Sequence, residues 1–199
     1  MGRKRSATRR PAVGVRVLAA VLALAVVGGC QQPSSRPEIS FEEKAPTMDQ
    51  AQLPTLRQTQ AQLLELIFAI EREISQLVPA LKPWWWNNKY STLRCPDGEK
   101  GMGLAFPSLV SRHGLSDAEW ELLYPVVRRL AAEAGLTSAG AFQNKAGNHD
   151  VRIHSGDGRM LMFGSREATQ LTADISCRRT DDGPVWVGNE IPMPPNPQP

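Results

Sequence analysis

An α+β domain is what the sequence predicts: two helices packed on one face of a mostly antiparallel sheet of four to five strands, stapled by one disulfide. Three observations lead there. Two segments, one from about Leu56 to Leu77 and one from Ser116 to Ala134, repeat apolar residues at steps of three and four, the period of an amphipathic helix. Several shorter segments, above all Leu171 to Cys177, alternate apolar with polar residues, the period of a half-buried strand. Two cysteines, Cys95 and Cys177, lie about 82 residues apart within the same span. The resulting order, α-β-β-α-β-β-β, suits a layer of helices over an antiparallel sheet.

Residues 1–29 stand outside that domain and read as a lipoprotein signal peptide. The first ten residues, MGRKRSATRR, carry five bases and no acid, a cationic start that stays on the cytoplasmic side of a membrane. The apolar run Val17 to Val27 that follows covers about 16 Å at about 1.5 Å per residue, roughly half of a hydrocarbon core. Lengthening it toward Val13 would bury Arg16. Val27, Gly28, Gly29 and Cys30 look like a bacterial lipobox, in which small residues let a signal peptidase approach the backbone before the cysteine. Cys30 is therefore the expected lipidation site. Two or more acyl chains anchor stably where one binds marginally. An ordinary secretory signal or an uncleaved anchor is the alternative.

Removing the signal changes the electrostatics. The 199-residue chain has 23 bases and 20 acids; six of the bases lie in residues 1–29, so the mature chain keeps 17 bases against 20 acids, a net charge of about −3. With no stripe of Lys and Arg interleaved with aromatics, no nucleic-acid partner is expected. Residues 30–53 read as the lipidated, flexible tether. QQPSSRPEISFEEKAPT buries almost nothing apolar, and a coil of about 17 residues spans roughly 20 to 25 Å.

The single domain, residues 54–187, is large enough for one core. Its first helix carries Leu56, Leu63, Ile67, Ile70, Ile74 and Leu77 on one stripe and stops before Pro79 and Pro83. Ser116 and Glu119 form the S-x-x-E capping box of the second, with Leu115 and Trp120 as a hydrophobic staple. Trp120, Leu123, Val127, Leu130 and Ala134 continue its face to Gly135. Pro125 inside it predicts a kink or a separate first turn. His149 to Ser155 and Arg159 to Phe163 flank GDG as a hairpin. Tyr90 to Cys95 and Met102 to Val110 are two further strands, with Leu93 expected on the buried side beside Cys95. In the last strand a period of two puts Cys177 on the apolar face. Exported to an oxidising compartment, Cys95 and Cys177 have one possible pairing, worth about 4.5 kcal/mol in the chain-entropy model. Two free buried thiols, or a metal pair without CxxC partners, are the alternatives. Residues 188–199, ending in IPMPPNPQP, read as a proline-rich, disordered tail of extended, polyproline-like character.

The lipobox ending at Cys30, the segment STLRC, the mid-chain helix, the strand LTADISC and the proline-rich end together resemble the LppA-like lipoproteins of mycobacteria and their relatives. The resemblance implies a surface lipoprotein and brings no catalytic residues with it.

The most unusual mature segment is PWWWNNKY. In a strand, Trp84 and Trp86 share a face and Trp85 takes the other, so at least one ring is exposed or lodged in a groove. Such indoles stack on sugars, rest at headgroups or anchor protein contacts; two rings capping the core is the structural alternative. His149, Asp150, His154 and His113 do not make a metal site, because positions five apart in a strand point to opposite faces. No cofactor is expected. G-x-S-x-G is missing, Gly101 and Gly103 lack a phosphate-loop context, and Asp181 and Asp182 fall in a turn, so no catalytic residues and no enzyme activity are expected. The functional expectation is a lipid-anchored envelope protein on the extracytoplasmic face of the cell membrane. Its non-catalytic domain would bind an envelope protein, glycan or lipid at Trp84 to Trp86. Alternatives are an accessory subunit that docks its Leu56 to Leu77 stripe on a larger complex, and an envelope hydrolase.

Overall fold

The computed structural model describes residues 49–96, 101–180 and 193–197. The signal segment, Cys30, most of the tether and the Asp181–Asp182 turn lie outside the described residues.

Helix α1 runs Leu56–Leu77. Thr55 caps it, its hydroxyl accepting from Gln58 N while the Gln58 side chain accepts from Thr55 N, a reciprocal box that satisfies two end donors. Its stripe turns inward, with Leu56, Leu63, Ile67, Ile70 and Ile74 almost wholly buried, whereas Leu77 at the end is 44% exposed. Helix α2 spans Asp117–Glu133 behind the Ser116–Glu119 capping box. It continues through Pro125 as one helix, and Pro125 faces solvent, where water can serve the carbonyl that loses its partner. Its buried face ends on Ala131 rather than Leu130. At its C-terminus Gly135 takes φ +85°, Gly135 N donates to Ala132 O and Leu136 N to Ala131 O, the paired bonds of a Schellman end.

The sheet has eight strands, not four to five: β1 (Trp84–Asn87), β2 (Ser91–Leu93), β3 (Met102–Ala105), β4 (Ser108–Ser111), β5 (Ser138–Lys145), β6 (Asn148–His154), β7 (Arg159–Ser165) and β8 (Thr169–Arg178). Every described pairing is antiparallel. The main order is β1-β4-β8-β7-β6-β5, and β3 also pairs β8 and carries β2 on its outer edge.

Three physical causes raise the count. Pro107 has no N–H and splits the single strand expected over 102–110 into β3 and β4. These lie along one side of β8, with Leu109 opposite Leu171 and Leu104 opposite Ile175. The Trp run is itself a strand, β1, seated on β4. Finally, β5 has all eight residues exposed, so SAGAFQNK shows no burial alternation. It is an edge strand held by β6, with a bulge that leaves Phe142 outside the ladder.

The core fills the space between helices and sheet. Leu104, Leu109, Val151, Ile153, Leu161, Phe163, Leu171, Ala173 and Ile175 point into it, and α1 and α2 cover them. Cys95 and Cys177 are joined, with Cα atoms 5.4 Å apart. Two details of the expected strand pairing are corrected. Leu93 is 42% exposed although Cys95 is buried, because β2 is an edge strand whose three residues all face solvent. Cys177 is not on the apolar face. The register between β3 and β8 shifts between Met102 and Leu104, and this irregularity breaks the period of two, so that Arg178 is the fully buried residue and Cys177 is half-buried.

Candidate functional site

The tryptophan strand is split between core and surface, as alternation requires. Trp84 is buried; its indole N–H donates to Ser75 Oγ at 2.8 Å, and Ser75 donates to Glu71 Oε1 at 3.2 Å. Strand β1 thus hangs on α1 by a buried polar chain. Burial pushes the Glu71 carboxyl above the usual carboxylate range, against the Ser75 hydrogen bond and the charges of Lys82 and Arg72. Trp85, on the opposite face, is half-buried beneath the Arg112 guanidinium, 5.5 Å from the ring centroid.

Trp86 returns to the α1 side but lies nearer the rim. Its ring is half-buried, meets the edge of Phe68 at 6.1 Å and 76°, and donates its N–H to the main-chain oxygen of Pro195 at 2.9 Å. Residues 193–197 therefore cross this face, with Pro194 buried. Between them and α1 lies a groove of about 440 Å³ lined by Phe68, Glu71, Arg72, Gln76 and Lys82. Phe68, Pro195 and Pro197 give it an apolar side, and Glu71, Arg72, Gln76 and Lys82 a polar one. The three indoles stand out in the sequence, whereas Phe68, Glu71, Ser75 and Pro195 join them only in the fold. Phe68 carries the one available signal, an aromatic beside the core stripe of α1 rather than on it.

The other candidates are structural. His149 is buried and lies parallel to Trp120, centroids 4.4 Å apart, with ring nitrogens at 2.7 Å from Asn144 Oδ1 and 3.0 Å from Asp117 Oδ1. The Gly147 amide, followed by His149, holds the Asp117 carboxyl below its usual range. His113 meets Glu119 at the start of α2, and His154 is exposed. Gly101 and Gly103 serve packing: a Cβ at either would strike the β8 backbone. A second groove, of about 580 Å³, lies between α1 and α2 and reaches Asp157 and Arg159. There, Asp157 receives Arg159 at 2.9 Å, and its main-chain oxygen accepts from the buried Arg178. Burial raises the Asp157 carboxyl, but bonds from Ser155 and Arg159 and the two guanidinium charges outweigh it and leave it below the usual range. The Asp157 carboxylate and main-chain oxygen are thus engaged within the protein. Among the described residues, no group of His, Cys, Asp and Glu could hold a metal ion, and no helix is long and apolar enough to cross a membrane.

The fold and this groove define a small α+β domain with two helices on an antiparallel sheet, one disulfide and a groove beside the tryptophan edge strand. The chain belongs to the LppA family, described as lipoprotein confined to pathogenic Mycobacterium, whose model matches residues 31–180. Among solved structures, a DUF4853 family protein from Actinomyces odontolyticus is similar in fold at 12% identity and a TM-score of 0.52, over 73% of this chain and 80% of that one. LppA from Mycobacterium tuberculosis matches at 18% identity and a TM-score of 0.45, over 59% of this chain and 76% of that one. No curated protein matches the chain.

Proposed function

We propose that this lipoprotein is anchored through acyl chains on Cys30 to the extracytoplasmic face of the cell membrane, and that its domain acts by binding rather than catalysis. Membership in a lipoprotein family supports the envelope location. The observation that carries the binding reading is the half-buried Trp86, whose N–H and ring hold a chain segment from another part of the molecule over an open groove. An envelope protein, glycan or lipid is the ligand class. The α1 stripe is spent on the domain's own core, so docking as an accessory subunit would need another surface.

The anchor is tested by mass measurement of the membrane-extracted protein: acylated Cys30 is expected as the first residue, and Cys30→Ala is expected to remain uncleaved or mis-sorted. The binding reading is tested by titrating the mature protein with anionic phospholipid vesicles, soluble cell-wall glycan fragments and proline-rich peptides while following tryptophan emission. At least one probe should shift it in a Trp86-dependent manner. No shift with any probe would overturn the reading.

A further inference from the structure

The segment seated on Trp86 has a chemistry of its own. Residues 191–199 read IPMPPNPQP, and proline locks φ near −65° while also holding the residue before it in an extended conformation. Met193, Pro194 and Asn196 each precede a proline, so 193–197 is stiff before it touches anything. An extended proline-rich chain has about three residues per turn, placing positions i and i+3 on one edge. The burial follows that period: Pro194 is buried and Pro197 half-buried, while Met193 and Asn196, the other pair three apart, are exposed. The contact is made of an indole N–H to a prolyl carbonyl, beside the T-shaped Phe68–Trp86 ring pair. Aromatic grooves recognise proline-rich segments in this way, because a preformed ligand loses little entropy on binding.

We propose that the Trp86–Phe68 face beside this groove is a recognition site for extended proline-rich segments of partner envelope proteins, and that residues 193–197 cover it in cis as a competing occupant. This rests on the binding reading above and names its ligand. A tethered occupant acts at an effective concentration on the order of millimolar, so a segment from another protein enters only by displacing it.

The test uses the full mature chain, wild type against the triple variant Pro194→Ser, Pro195→Ser and Pro197→Ser. A synthetic peptide of residues 191–199 is titrated into each, followed by tryptophan emission and calorimetry, with an intact disulfide and a cooperative thermal transition checked in both. The variant should bind the peptide with one-to-one saturation, and the wild type at least about tenfold more weakly. Adding Trp86→Phe to the variant keeps a ring, removes the donor and should weaken binding several-fold. Dimerisation of the wild type through exchanged tails, lost in the triple variant, would support the same recognition with a second copy as donor. A folded triple variant that ignores the peptide, or binds it no better than wild type, overturns the proposal. Should vesicles or glycan fragments then still shift emission through Trp86, the binding reading stands without this ligand; should none do so, both fall.

Discussion

Two tryptophan sites in this domain meet opposite fates. At one end, Trp120 of α2 is 1% exposed and lies in a parallel stack, with Phe163 at 4.8 Å, His149 at 4.4 Å and Tyr124 at 5.4 Å. At the other, Trp84 and Trp86 of β1 share the α1 side of an edge strand, one sealed in the core and one reaching the rim. The difference is topological. Trp120 is the fourth residue of a capped helix lying over β6 and β7, strands paired on both sides, so every approach to its ring is covered. Strand β1 has a neighbour on one side only, and the covering on its outer flank comes from residues more than a hundred positions along the chain. A ring whose cover comes from paired neighbours is structure. A ring whose cover comes from a short proline segment can exchange that cover for something else.

The largest loss is expected at the sealed end. Trp120→Ala removes the largest fully buried side chain and leaves His149, Phe163 and Tyr124 facing a void, a loss of about 3 to 5 kcal/mol by the behaviour of buried aromatics. Denaturant unfolding of the oxidised protein measures it. A loss under about 1 kcal/mol would show that the stack is as open as the β1 edge.

At the junction of the two environments, Trp84→Phe keeps most of the buried ring and deletes the donor to Ser75. It leaves a buried hydroxyl oxygen without that partner, and a cost of about 1 to 3 kcal/mol is expected by the same measurement. Trp86→Ala, by contrast, should cost about 1 kcal/mol, from the edge contact with Phe68 and part of a half-exposed ring. Its signature lies elsewhere: binding at the groove should be lost while the fold is kept. If Trp86→Ala destabilised as much as Trp120→Ala, the rim ring would be a core residue and the contrast would vanish.

The sealed end was far more legible in the sequence than the open one. Trp120 sits four residues after Ser116, so the capping box and staple fix its place on α2 from local spacing alone, and α1 begins and ends where its stripe predicts. Local signals failed where pairing is distant. Nothing in SAGAFQNK marks β5, because a fully exposed edge strand needs no alternation and takes its order from β6. Cys177 departs from the face its period of two predicts because the irregularity opposite Met102 and Leu104 is a property of two strands and cannot be read from one. The groove suffers most. Its indoles were visible as a run, but Phe68 and Pro195 come to Trp86 from opposite ends of the domain, and only the folded chain brings them together.

The smallest expected effect concerns Glu71, which lies under the open groove yet is only 6% exposed. Burial raises its pKa above 4.5 in the folded protein, so the native state favours the protonated carboxyl. Well below pH 4.5 the folded and unfolded chains both carry the neutral acid, and its contribution to stability is fully present. As pH rises, the unfolded chain ionises first, and stability falls until the folded carboxyl has ionised too; above that point the protein carries a buried charge. Glu71→Gln keeps an oxygen for the Ser75 hydroxyl and removes the charge. The variant should be more stable than wild type at pH 7, with the difference shrinking to nothing below pH 4 in parallel urea titrations. A variant less stable at pH 7, or a difference independent of pH, would mean that Lys82 and Arg72 already satisfy the carboxylate. The floor of the groove would then be as firmly settled as the Trp120 stack.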